Sequence, residues 1–136
     1  MQDSNFKLSL KLRIDWSEMD TYMHVNNVNF MKYMQSARVQ FWDVTGLAKL
    51  YEATKKGPML VSTRCDFKHP LFFPGNVMIK TKVEFIKNSS FGLYHHLYND
   101  DDVLCAVGHD VAVCYDFNTD KTFKITDDLR KVMEKY

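Results

Sequence analysis

From Phe6 to Trp16 the chain alternates. Phe6, Leu8, Leu10, Leu12, Ile14 and Trp16 are apolar, and Lys7, Ser9, Lys11, Arg13 and Asp15 lie between them. A period of two predicts a half-buried strand, because successive side chains point to opposite faces of a sheet. The period then changes. Phe30, Met34, Ala37, Phe41 and Val44 recur at helical spacing, with Asn29, Lys32, Ser36, Gln40 and Asp43 at other positions, so a helix is expected from about Asn27 to Thr45. Asn26 is placed to cap it, since its side-chain oxygen can accept a free amide hydrogen of the first turn, and Gly46 supplies a left-handed stop. Val28, Met31 and Trp42 widen the apolar stripe, so this helix is expected to be buried on more than one side.

After a linker around Lys55 to Pro58, alternation returns in Met59, Val61, Thr63, Cys65 and Phe67 until His69, Pro70, Pro74 and Gly75 break it. Val77, Ile79, Thr81, Val83 and Phe85 alternate against Lys80, Lys82 and Glu84. Asn88 and Ser89 then mark a hairpin turn into Phe91, Leu93, His95 and Leu97. A turn at Asn99 to Asp102 leads to a long strand with Val103, Cys105, Val107, His109, Val111, Val113 and Tyr115 on one face. Small Ala106, Gly108 and Ala112 occupy the other, where a helix can approach closely. Thr126 caps a short last helix with Asp127 and Asp128 at its positive end. One strand, a long helix, four strands joined mostly by short turns and a small helix make an α+β layer, an antiparallel sheet with the helix on its inner face. A length of 136 residues suits a single domain over 1–136, and the apolar faces left after one helix is packed predict a dimer.

Basic and acidic residues nearly balance at a net charge of +1, which leaves no electrostatic footprint for nucleic acid and points to a small-molecule partner. No stretch approaches the roughly 20 apolar residues of a membrane span. Met1 to Leu12 alternates where a signal peptide would run continuously apolar. Cys65, Cys105 and Cys114 are odd in number and lie in strand-like segments, against a disulfide framework and against a zinc site. A cytoplasmic protein without membrane, metal or separate cofactor is the expectation.

The chemistry concentrates in Asp20-Thr-Tyr-Met-His24-Val-Asn26-Asn27, between the first strand and the long helix. A carboxylate, a histidine and two amides meet where a helix presents unpaired amide hydrogens and its positive dipole end. Such a place stabilises an oxyanion, as thioester hydrolysis requires, and a nearby carboxylate can position or deprotonate water or attack the carbonyl. Taken alone, an Asp, His and Asn cluster before a helix is more often a capping and turn arrangement.

The run Trp16-Ser-Glu-Met-Asp20-Thr-Tyr-Met-His24-Val-Asn26-Asn27-Val-Asn-Phe30 resembles the signature of the 4-hydroxybenzoyl-CoA thioesterase-like family of hotdog proteins. Tyr33, Ala37 and Arg38 continue the likeness, as do Asp66-Phe67, Pro70, Pro74-Gly75 and the Val111 to Asp116 strand. The resemblance implies a hotdog fold, a five-stranded antiparallel sheet wrapped around a long central helix, with two subunits paired and active sites at their interface. It implies hydrolysis of an acyl-CoA to free acid and CoA. Asp20 matches the catalytic carboxylate, and the backbone amide of Asn27 matches the donor that polarises the thioester carbonyl. Glu18 and Met19 depart from the commoner Asp-Thr-Asp pattern, and Asn76 stands where an acidic residue often follows the glycine.

His24 is placed to orient Asp20 or the substrate, though a structural turn role is slightly favoured, and Asn26 suits a cap better than a substrate contact. By similarity to the family, a polar hairpin with Lys87, Asn88, Ser89 and Ser90, with basic Arg64, can meet CoA phosphates; a solvated hairpin tip fits these residues equally. His95 and His96 point to opposite faces of a strand and cannot form a two-ligand site. The alternatives are an acyl-carrier-protein thioesterase, a hotdog hydratase, which the Asn26-Asn27 helix start argues against, and a non-catalytic thioester-binding protein. Pairing of dimers into a tetramer stays open.

Overall fold

A computed structural model of the protein describes residues 5–136; the first four residues of the Met1 to Leu12 alternation lie outside them. Strand β1 covers Leu8–Arg13, less than the Phe6 to Trp16 alternation. The cause is Asp15, whose carboxylate accepts from the Ser17 amide and caps a 3₁₀ turn at Trp16–Glu18. Trp16 is therefore no strand residue and is 69% exposed. Helix α1 spans Asn27–Thr45, the bounds its caps predict: Asn26 Oδ1 accepts from the Val28 amide at 3.1 Å, and Gly46 adopts a φ of 83°.

No linker follows. Gly46 leads straight into helix α2, Leu47–Thr54, in which Leu47 is buried in the core and Leu50 packs against it. Strand β2 starts at Lys56 and runs to Phe67, so the segment read as a linker is the junction of a helix and a strand. Strands β3 (Asn76–Ile86), β4 (Ser90–Tyr98) and β5 (Leu104–Asp116) follow, then a two-residue strand β6 (Lys121–Thr122) and helix α3 (Asp127–Met133). The Thr126 hydroxyl caps α3 by accepting from the Leu129 amide at 3.2 Å. The sheet order is β1-β3-β4-β5-β2, antiparallel throughout, with β6 added to β5.

The five long strands curl around α1 in the hotdog arrangement that the resemblance implies. Phe30, Met34, Ala37 and Phe41 are buried against the sheet. The small face of β5 is what receives the helix: a Cβ on Gly108 would sit 2.6 Å from Met34 Cε, so a side chain there would force the end of the Met34 side chain to move. Burial on more than one side is not met within the protomer. The sheet covers one side only, and Val28 and Val39 remain exposed at 67% and 47%. Val44 also faces outward, while Thr45 is buried with its hydroxyl donating to the Phe41 carbonyl at 2.6 Å.

Two apolar clusters fill the space between helix and sheet. One gathers Ile14, Val25, Phe30 and Leu71 near the start of α1, the other Phe41, Leu47, Phe91 and Met133 near its end. A polar belt crosses between them. The Thr81 hydroxyl of β3 is 2.8 Å from His95 Nδ1 of β4, and His95 Nε2 is 2.6 Å from Asp110 Oδ2 of β5. Thr63 of β2 donates to Asp110 Oδ1 at 2.7 Å, and Arg38 of α1 donates to Oδ2 at 3.2 Å. Burial pushes the Asp110 pKa up, but the hydrogen bond and charge of His95, with Thr63 and Arg38, outweigh it and hold the carboxyl below its ordinary range. A carboxylate can only accept, so His95 Nε2 carries the shared proton.

Candidate active site

Between the 3₁₀ turn and α1 the chain folds back on itself. Met19 bridges Val25, the Asp20 amide donates to the His24 carbonyl at 2.7 Å, and the Met23 amide donates to the Asp20 carbonyl at 3.2 Å. At the apex Met23 takes a φ of 64°, a left-handed conformation rare for a bulky residue. The Asp20 side chain holds this apex. Its Oδ1 accepts from the Tyr22 amide at 2.8 Å and the His24 amide at 3.2 Å. The turn arrangement thus accounts for one carboxylate oxygen. Among the described residues, nothing donates to Oδ2.

The same turn is tied to the helix start. The Val25 amide donates to the Leu71 carbonyl and the Asn26 amide to the Glu18 carbonyl, each at 2.9 Å. Asn29 Nδ2 donates to the same Glu18 carbonyl at 3.0 Å. The Glu18 carboxylate is buried, where it accepts from Tyr33 Oη and the Asp15 amide at 2.8 Å and from Lys32 Nζ at 3.3 Å. The departure from Asp-Thr-Asp is therefore a clamp between turn and helix. At the helix start the Asn26 side chain takes the Val28 amide and its carbonyl takes the Asn29 amide. The Asn27 amide is a first-turn donor with no helical partner, and among the described residues it donates to no protein acceptor.

Asp20, His24 and Asn27 line one cavity of about 370 Å³, floored by Phe30 and Phe67 and rimmed by Lys68 and His69. Sequence reading placed the first three and missed the rim. The loop after β2 is delivered by the Val25 to Leu71 backbone bond and by an edge contact of Phe30 on Phe67 at 5.1 Å, both between segments distant in sequence. His24 is exposed and stands edge-on to Phe72 at 5.1 Å between ring centres. Its side chain makes no hydrogen bond to Asp20.

Asn26 caps α1 and also lines a separate groove on which Asp20 borders. Arg64 lies three residues before Phe67 on the edge strand, 3.5 Å from Asp66. Lys87, Ser89 and Ser90 stand elsewhere. The Lys87 amide donates to the Ser90 carbonyl at 2.8 Å, Arg130 of α3 donates to the Lys87 carbonyl at 2.7 Å, and Ser89 accepts from the Cys114 amide. On β5, Ser90 is opposite Val113 and Phe67 is opposite Ala106, which puts hairpin and cavity roughly 23 Å apart along the sheet. Within one protomer the structure does not bring them together. Burial raises the thiols of Cys65, Cys105 and Cys114 to about 11, so none carries the thiolate that nucleophilic catalysis needs.

No curated protein matches the sequence. Among solved structures, the BH1999 gentisyl-coenzyme A thioesterase is 27% identical with a TM-score of 0.81, covering 93% of this chain and 99% of its own. The PA2801 protein of Pseudomonas aeruginosa is 25% identical with a TM-score of 0.82, covering 90% of this chain and 95% of its own. The DHNA-CoA thioesterase of Staphylococcus aureus is 17% identical with a TM-score of 0.83, covering 93% and 88%, a likeness of fold alone. A family model spans residues 14–133, from the end of β1 through α3 and across the whole of the Asp20 turn, and the chain belongs to the thioesterase-like superfamily.

Proposed function

We infer that the protein hydrolyses the thioester of an acyl-CoA to free acid and CoA, with Asp20 as the catalytic carboxylate and the Asn27 amide as the oxyanion donor. One observation carries the reading: Asp20, one of whose carboxylate oxygens has no donor among the described residues, and Asn27, whose helix-start amide has no acceptor among them, line the same cavity. The thioester carbonyl oxygen accepts from the Asn27 N–H, next to the positive end of α1. Water attacks the carbonyl carbon while Asp20 Oδ2 takes its proton; Oδ1 stays on the Tyr22 and His24 amides, which fix the carboxylate plane. The tetrahedral intermediate collapses, the C–S bond breaks, and the departing sulfur takes the proton held on Asp20 Oδ2, leaving as CoA thiol and restoring the carboxylate. Direct attack by Asp20 gives the same products through an anhydride that water then opens. The name of a similar protein supports a CoA carrier over an acyl-carrier protein: the 27% identical structure above is a gentisyl-coenzyme A thioesterase.

The working form is a homodimer with the site at the subunit boundary, and pairing of dimers into a tetramer is compatible with it. Strand β2 supports this, since it is an unpaired sheet edge with Val61 and Phe67 half exposed. A partner there would also cover the open side of α1. No helix among the described residues is long and apolar enough to cross a membrane, and a cytoplasmic location is part of the proposal. Release of free thiol from a panel of acyl-CoAs, followed with a thiol-reactive dye, tests the reading. Turnover of at least one acyl-CoA is expected; binding without thiol release across the panel would make the protein a thioester-binding module.

A further inference from the structure

Asp20 borders two cavities of different character. On one side is the cavity that holds the Asn27 amide, rimmed by Lys68, His69 and His24. On the other is an open groove of about 560 Å³ lined by Trp16, Met19 and Met23, with Ser17, Thr21 and Asn26 at its margins. Among the described residues no cation lines this groove. Trp16 and Met23 are 69% and 65% exposed there, an uncommon placement for two large apolar side chains beside a polar turn. Both are held outward by specific backbone features. The 3₁₀ turn capped by Asp15 carries Trp16 away from the strand, and the left-handed φ of 64° at Met23, maintained by the Asp20 carboxylate, turns that residue out.

A thioester has two arms that diverge from its carbonyl carbon, one apolar and one polar and anionic. With the carbonyl at Asp20 and Asn27, the cavity that carries Lys68 suits the arm that leads to phosphate. We propose that the Trp16, Met19 and Met23 groove is the acyl subsite, taking a flexible alkyl chain of medium length along the indole face and two pliable thioethers. This inference rests on the reading of Asp20 as the reacting centre, and it adds the substrate class: unbranched aliphatic acyl groups over acetyl. An open groove sets no sharp upper limit on length.

Two measurements test it. Trp16→Ala should leave kcat/KM for acetyl-CoA within about twofold of wild type and lower it for decanoyl-CoA about tenfold, since each methylene removed from water is worth roughly a factor of four. Equal losses on both substrates, or none on decanoyl-CoA, would overturn the assignment. The second measurement does not depend on turnover. In Trp42→Phe protein, where Trp16 is the remaining indole, titration with the non-hydrolysable thioether S-decyl-CoA should shift Trp16 emission to the blue, whereas CoA and S-methyl-CoA should not. An unchanged emission with bound S-decyl-CoA sinks the groove even if acyl-CoAs are hydrolysed. A blue shift in a protein that releases no thiol keeps the groove and refutes the catalytic reading of Asp20.

Discussion

Asp20 and Asp110 carry the same side chain in opposite surroundings. Asp110 lies on the inner face of the sheet, and both its oxygens are engaged, Oδ1 by Thr63 and Oδ2 by Arg38 and His95. Asp20 sits in a turn, with Oδ1 on two backbone amides and Oδ2 without a donor among the described residues. The first arrangement joins three strands and a helix and leaves nothing for a substrate. The second spends one oxygen on holding the turn and leaves the other open for the proposed chemistry. If Asp20 reacts as proposed, an unsatisfied oxygen lining the same cavity as an unsatisfied donor is a better guide to a reactive carboxylate than burial and a charged partner.

If the comparison holds, the two sites fail differently. Asp110→Ala leaves the Arg38 and His95 donors facing each other without an acceptor, and breaking a buried pair from one side typically costs about 3–5 kcal/mol. Thermal denaturation should show a melting temperature lower by roughly 10 °C or more, while kcat/KM at a temperature where the variant is folded stays close to wild type. A small thermal effect would mean that the belt is not a structural tie. Asn27→Pro, in contrast, should leave melting nearly unchanged, because proline is tolerated at the first helical position. It removes the proposed oxyanion donor, worth about 2–4 kcal/mol in the barrier. Asn27→Ala keeps the amide and should retain most activity, so similar losses in the two variants would assign the role to the side chain.

The smallest effect is in pH. Because the folded-state pKa of Asp110 is lowered, its contribution to stability is complete above the unfolded carboxylate value of about 3.9. It is lost as pH falls through that value toward the folded one. Melting curves of wild type and Asp110→Asn between neutral pH and about pH 3 should converge at the acid end. Parallel curves would show that Asp110 is not what acid titrates.

Much of this was legible in the amino-acid pattern because the forces involved are local. Asn26 and Gly46 bound α1 through their own backbone chemistry, and the turn from Asp20 to Asn27 is closed by bonds within it. Alternation likewise yields β3, β4 and β5, and the small residues of β5 mark the helix seat. Helix α2 was missed although Leu47, Leu50 and Tyr51 recur at helical spacing, because a helix of eight residues shows only about two turns of the period. Lys68 and His69 reach the cavity through a contact from Val25 to Leu71, which no local signal announces. The belt did leave a trace: His95 shares its phase with Leu93 and Leu97, and Asp110 shares its phase with Gly108 and Ala112. Two titratable residues in an inward phase are a signal for a buried pair.

The central claim is that Asp20 is the carboxylate at which the thioester reacts. The most direct measurement is the thiol-release rate of Asp20→Asn on an acyl-CoA that the wild type hydrolyses, with circular dichroism and melting on the same preparation. The amide keeps an oxygen for the Tyr22 and His24 amides, so fold and melting temperature should be near wild type. The loss of charge and basicity at Oδ2 should lower kcat about a hundred to ten-thousand-fold. A folded Asp20→Asn protein that turns over at near the wild-type rate would contradict the account.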